Sequence, residues 1–522
     1  MDNLGAYPVA WYPVGSNVCN GCELMTRALW IGTFAGWCVI VAAAGFLVAG
    51  SAEDQHAPAK ALAGISGERM LADVIRLSSP EFNGRQTGTI DDHRSGSFVA
   101  ERFKSLGLLA AGTETIPGDS SLESWAMKNP LKVSTIQTTP VLEFSPRATT
   151  LAGRARLGEQ FLPILDSPSV KITAPLAFVG YGISDPARGF DEYEGIDVKD
   201  RVVIFFRGKP EQYPPSITHA EKVKTAREKG AAAFLMTTGP VISAYESRRG
   251  ISGAPSAFYN STPEEFSLPG AWISTSLATL VTNELPSLSD IQKTLNRATT
   301  PQSAVLHVET RLEWQAVQGA GSLTNVLGMI QGSSEEMAVV GAHRDHFGRQ
   351  AGLLFAGADD NASGTAVLLE VARAIVQSGL KPKRSILFIS FSGEEQGLLG
   401  SKLYVARPII PLTSTKAMIN VDHAGAGNGR LTVGITGFEK DVAAQAGQAA
   451  GLADKLDLFG FFPGGDHVPF KEAGVPTVTV VSGGAHPHFH QPTDTADTVN
   501  PNILQTTARY VLALTWQLAN AP

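Results

Sequence analysis

A chain of 522 residues is too long for one ordinary core, so two compact units are expected, one of them large enough to bury a wide sheet. Charged residues make up 17% against the roughly 25% usual in globular chains, beside 53 glycines and 31 prolines, which excludes a charge-rich disordered chain and suggests a loop-rich α/β protein. A net charge of -7 leaves no basic footprint for a phosphate backbone, so nucleic acid is excluded as a natural partner.

In chain order, residues 1–56 form an N-terminal extension. It holds all three cysteines, Cys19, Cys22 and Cys38. Any metal site further along must therefore use His, Asp or Glu. Cys19 and Cys22 have the spacing of a redox motif, but no βαβ pattern surrounds them and no second pair completes a zinc site. Between Arg27 and Glu53 no residue is charged, and the run 28–50 is long enough to cross a bilayer as a helix. It reads as a signal peptide or membrane anchor, with Arg27 inside and the main body exported, periplasmic or extracellular. The membrane is expected as a partner only through this segment.

Residues 57–64 read as a linker. Helical spacing follows at 68–77 and 97–106, opening the first part of a folded domain at 65–170. A small β-rich unit is expected at 171–287, with strands at 176–181, 202–206 and 231–236 and a helix at 219–229. From 300 to 522 strand and helix alternate regularly. Strands at 338–342, 385–391, 417–421 and 475–481, with helices at 365–376, 440–450 and 503–518, predict an α/β domain with a mostly parallel sheet and helices on both faces.

Seven of the eleven histidines lie between His343 and His490. Ligands in such sheets bind beyond the carboxyl ends of the strands, and the acidic and imidazole residues fall there. His343 and Asp345 close the first strand, and Glu394 and Glu395 follow the second. Asp422 ends the third, His490 lies beyond the fourth, and Asp359 and Asp360 precede a helix. Buried carboxylates gathered in this way need a compensating cation, and imidazole and carboxylate without sulfur suit zinc. Alternation places His343 and Asp345 on one side, so Asp345 is expected to accept the ring N–H of His343, while Arg344 points away. The residues alone leave open which of Asp359 and Asp360, and which of Glu394 and Glu395, would touch metal.

The motifs Gly341-Ala-His-Arg-Asp345, Gly357-Ala-Asp-Asp-Asn-Ala-Ser-Gly364, Ser392-Gly-Glu-Glu-Gln-Gly397, Asn420-Val-Asp422 and His490-Gln-Pro-Thr-Asp-Thr495 resemble, in order, those of the co-catalytic zinc aminopeptidase family. Glutamate carboxypeptidases, glutaminyl cyclases and the transferrin receptor are relatives within it. The resemblance implies two zinc ions per chain, bridged by Asp360. His343 and Asp422 would complete one ion, Glu395 and His490 the other, with Glu394 as general base and a peptide as substrate. It also implies that 171–287 is an inserted protease-associated domain. Members of the family place a tyrosine before the last histidine as oxyanion donor; here Phe489 stands there, and that donor is unassigned. His486 and His488 are alternatives to His490 that fit the spacing to Asp494 less well, and His346, His423 and His467 are read as supporting residues. Carboxylates dominate these motifs, which suits a free α-ammonium and favours an aminopeptidase over a glutamate-releasing carboxypeptidase, whose substrate needs cationic grips. A single-zinc cyclase and a non-catalytic receptor-like module are the remaining alternatives.

A reporter fused after Asp54 is expected to be exported, because the uncharged run is long enough for insertion. A reporter found wholly in the cytoplasm would refute this, and retention on membranes would separate an anchor from a cleaved signal.

Overall fold

The computed structural model describes residues 59–113, 122–137, 139–146, 153–248 and 250–521. The uncharged run 28–50 and the three cysteines lie outside these residues. Among the described residues no helix is long and apolar enough to cross a membrane.

The larger sheet has nine strands: β1 (Leu109–Ala110), β2 (Ala126–Ile136), β3 (Ala316–Ile330), β4 (Met337–His343), β5 (Ser385–Phe391), β6 (Thr415–Asp422), β7 (Leu431–Thr436), β8 (Leu456–Phe459) and β9 (Thr477–Ser482). Their order is β1-β3-β5-β4-β6-β9-β7-β8, with β2 on the free length of β3. The four central strands, β5, β4, β6 and β9, run parallel, with Val340 of β4 between Phe388 and Ile419. Every residue of β4 and β5 is buried, the pattern of strands covered on both faces. Helices α1 (Gly67–Leu77), α2 (Ile90–Ser105), α3 (Gly364–Ser378), α4 (Lys440–Ala450) and α5 (Pro501–Asn520) complete this layer. Leu368, Val371 and Ile375 of α3 and Leu504, Val511 and Leu514 of α5 join Val340, Ile386 and Ile419 in one core.

The expected parallel sheet is found in its centre, and its edges turn antiparallel. β7 runs against β9, and β3 runs against β5, β1 and β2. Helix α2 begins seven residues before the expected 97 because Thr89 caps it, accepting from the Asp91 and Asp92 N–H groups, and Asp91 and Asp92 suit its first turn. Apolar spacing, which begins only at Phe98, does not register this polar turn.

The second sheet has eight strands, in the order 153–154, 141–146, 304–314, 170–178, 202–206, 233–237, 270–273 and 161–163. It therefore takes in chain on both sides of the expected bounds 171–287. The long strand Ala304–Trp314 pairs with Val141–Pro146 on one side and Val170–Phe178 on the other, so the unit closes only when both flanks are present. Chain enters it along β2 and returns along β3. These two strands pair from Ala316↔Ile136 to Asn325↔Met127 as a two-stranded stem.

One buried ion pair ties α2 to the large sheet. The Arg344 guanidinium donates to Asp92 Oδ1 at 2.7 Å, to the Thr324 carbonyl of β3 at 2.6 Å and to the Ser390 carbonyl of β5 at 3.0 Å. Asp92 Oδ2 accepts from Ser392 Oγ at 2.8 Å and from the Gly88 N–H at 3.1 Å. Both side chains are sealed from solvent. Arg344 thus points away from the strand ends, as alternation predicts. Asp92→Ala strands a buried guanidinium and is expected to cost about 3–5 kcal/mol of unfolding free energy, read by urea titration. A loss under about 1 kcal/mol would show that water replaces the carboxylate.

Candidate metal centre

The site lies at the carboxyl ends of the four parallel strands. β4 ends in His343 and β6 in Asp422, Glu394 and Glu395 follow β5, and His490 lies in the loop beyond β9. Asp359 and Asp360 come from the turn before α3. That turn is held by Asp494, whose carboxylate oxygens accept from the Asp359 N–H at 2.9 Å and the Asp360 N–H at 3.0 Å. Asn361 adds a second clamp, donating to the Val421 carbonyl at 3.0 Å and accepting from the Gly364 N–H at 2.9 Å. Gly364 is required here, since a β-carbon would collide with the Asn361 side chain. Beneath the turn the buried Arg85 guanidinium donates to the carbonyls of Arg344, Leu77, Ala356 and Gly357 at 2.6–2.7 Å. Burial lowers its pKa to about 10, opposed by Asp494, Asp345 and Asp360.

Asp360 stands at the middle. Its Oδ1 is 3.4 Å from His343 Nε2, and its Oδ2 is 3.1 Å from His490 Nε2. His343 Nε2 is also 3.3 Å from Asp422 Oδ1, and His490 Nε2 is 3.3 Å from Glu395 Oε2. The five expected ligand residues therefore come together as two half-sites that share one carboxylate. His343 Nδ1 faces the Asp345 carbonyl at 3.3 Å, and His490 Nδ1 faces the Ala257 carbonyl at 2.8 Å. With each ring proton committed to a carbonyl, both Nε2 lone pairs confront carboxylate oxygens. Acceptors opposed to acceptors in a buried centre fit a cation on each side of Asp360, and the N,O donor set suits zinc.

The pairs left open by the residue types are separated here. Asp359 turns away from the half-sites: Oδ1 accepts from the Gly425 N–H at 2.8 Å, and Oδ2 lies 2.7 Å from His486 Nδ1 and 3.4 Å from His423 Nδ1. Glu395 is held by His346 Nδ1 at 2.7 Å as well as lying beside His490. Glu394 lines the cavity beside the half-sites. Burial, reinforced by Asp422, Asp466 and Asp360 against the opposing effect of His343, holds its carboxyl well above the ordinary range.

Asp345 departs from the expected contact. Its carboxylate is 3.7 Å from His343 Nδ1, and instead accepts from Thr87 Oγ1 at 2.8 Å and from the Glu394 N–H at 3.3 Å. β4 ends at His343, so strand alternation no longer governs the residue two further on. Asp345 thus anchors the loop that carries Glu394. His346, as expected, and Asp494 and Asp359 support the centre around the two half-sites. His486 and His488 lie outside both half-sites, with His488 Nδ1 2.9 Å from Thr493 Oγ1.

A cavity of about 490 Å³ opens onto the centre. Glu394, Asp422 and His423 line it near the half-sites, and Phe459, Phe461 and Phe462 form an aromatic wall. Burial lowers the His423 imidazole, but Asp360, Asp422 and Asp359 outweigh it and lift it to about 10.

An acidic, histidine-bearing centre at the mouth of parallel strands has the donor set and placement of a metal site in an α/β fold. Residues 325–515 match the model of peptidase family M28. A probable leucine aminopeptidase of Arthroderma otae is 32% identical over 210 residues, 38% of this chain and 58% of that one. A probable glutamate carboxypeptidase of Zea mays is 32% identical over 196 residues, covering 33% of this chain and 26% of the relative. The chain thus matches under two thirds of the length of these curated relatives. The aminopeptidase from Aneurinibacillus sp. strain AM-1 shares the fold with a TM-score of 0.62 at 20% identity, over 88% of this chain and 96% of that one. A zinc aminopeptidase from Bacillus subtilis does so with a TM-score of 0.58, over 87% and 96%.

Purified protein is expected to hold about two zinc equivalents by elemental analysis, one per half-site. Asp360→Asn should lower the content of both, because one carboxylate faces both. A content near one in the native protein would count against the shared-carboxylate reading.

Proposed function

We propose that the protein is a zinc-dependent exopeptidase, an aminopeptidase that releases N-terminal residues from peptides outside the cytoplasm. The observation that carries this reading is Glu394 beside two half-sites joined through Asp360, at the foot of a cavity lined by carboxylates, imidazoles and aromatic rings. His343 and Asp422 would hold one ion and His490 and Glu395 the other, with Asp360 shared. When bound, zinc supplies Lewis acidity that polarises a carbonyl and acidifies water.

Glu394 is the general base. It takes a proton from the attacking water as the new C–O bond forms, then returns it to the leaving amine as the C–N bond breaks. Burial raises its carboxyl above the ordinary range, which strengthens it as a base and suits it to hold that proton between the two events. The Asp345 carboxylate fixes the base through the Glu394 N–H.

The direction of attack follows from charge. No lysine or arginine is among the described residues that line the cavity. Arg344 is engaged with Asp92, and Arg349 bonds Asn83 and Gly352 at the surface. A substrate α-ammonium finds complementary charge there, whereas a substrate carboxylate finds no guanidinium to grip it. The names of the leucine aminopeptidase and the Bacillus subtilis enzyme support the same direction. The wall of Phe459, Phe461 and Phe462 favours a large apolar first side chain.

Glu394→Gln is expected to keep the zinc content and lose at least about a hundredfold in kcat. One short peptide, assayed unmodified, N-acetylated and C-terminally amidated, tests direction: acetylation should abolish cleavage and amidation should matter little. The reverse pattern would make the enzyme a carboxypeptidase.

A further inference from the structure

Segment 250–260 of the second unit reaches the metal centre. There the His490 backbone and side chain are both held. Its Nδ1 faces the Ala257 carbonyl at 2.8 Å, and its own carbonyl accepts from the Ala257 N–H at 3.0 Å. Gln491 Nε2 donates to the Pro255 carbonyl at 2.9 Å and to Ser256 Oγ at 3.3 Å. Phe489, stacked on the His490 ring at 3.7 Å between centroids, packs into the core of the second unit with Ile251 and Trp272. Gly250 sits so close that a β-carbon would strike the His486 carbonyl and the Phe489 side chain. His490 itself has φ 56°, a left-handed conformation uncommon outside glycine.

The two half-sites thus differ in who builds them. His343 takes its tautomer from the Asp345 carbonyl, two residues along the same chain segment. His490 takes its tautomer and a backbone hydrogen bond from the second unit. No residue of 250–260 lines the cavity, so the segment acts on the histidine and not on substrate.

We propose that segment 250–260 is a positioning element that completes the His490–Glu395 half-site, leaving the His343–Asp422 half-site to the larger sheet alone. The proposal rests on the two-ion reading above. Gln491 is the positioning residue through which it is tested: its amide secures the segment at Pro255 and Ser256, and outer partners that orient a ligand support metal affinity by about 10–100-fold.

The experiment is chelator competition on the full-length holoenzyme, resolving the two zinc affinities, with thermal melting of the zinc-loaded protein to check that it is folded. Gln491→Ala is expected to weaken one zinc by about tenfold or more and leave the other unchanged. Ala257→Pro, which removes the N–H donated to His490 but keeps the carbonyl, should weaken the same ion. Two affinities unchanged in both folded variants, or both weakened equally, overturn the proposal. Native protein that binds fewer than two ions instead refutes the two-ion reading itself, and the proposal with it.

Discussion

Asp360 directs its two oxygens at two imidazole nitrogens whose protons are already committed to carbonyl groups. Such opposition is unfavourable in a buried centre unless positive charge lies between the partners. Most of what surrounds it serves to keep these groups from turning away. Asp494 and Asn361 fix the turn that carries Asp360, and His346 holds Glu395. The parallel strands bring the remaining groups to one edge, where the His423 N–H also holds Asp422 Oδ1.

The same logic places positive charge away from the cavity. Arg85 and Arg344 are both fully buried near the centre, yet each spends its donors on carbonyl groups, and Arg344 adds Asp92. Their charge supports the turn and the sheet from behind. The cavity side is left to carboxylates, imidazoles and aromatic rings.

Much of this was legible in the amino-acid order. The central strands are continuous apolar runs, and the groups at their ends are polar residues that such runs do not otherwise tolerate, so the five residues of the two half-sites stood out. The choice between Asp359 and Asp360 was not legible, because neighbours in a turn are separated only by the local path of the backbone. The contact expected of Asp345 failed because alternation was carried past the end of a strand. The reversed strand β7, the stem of β2 and β3, and the flanks of the second sheet depend on long-range pairing, for which a half-exposed strand carries little local signal. The Ala257 carbonyl that fixes His490 carries no side-chain signature at all.

The stem has a consequence for how the chain is assembled as it is made. Residues 141–314 contain every strand of the second sheet, whereas β1 and β2 find their sheet partner only in β3, which begins at Ala316. During synthesis the N-terminal strands of the larger sheet therefore wait, unpaired, while the unit between its halves is completed. The inserted unit then presents the two ends of the stem side by side, shortening the closure that the remaining strands must make. A unit that sits late in the architecture is thereby early in its history, and the active half-site it touches is built on a part that is already finished.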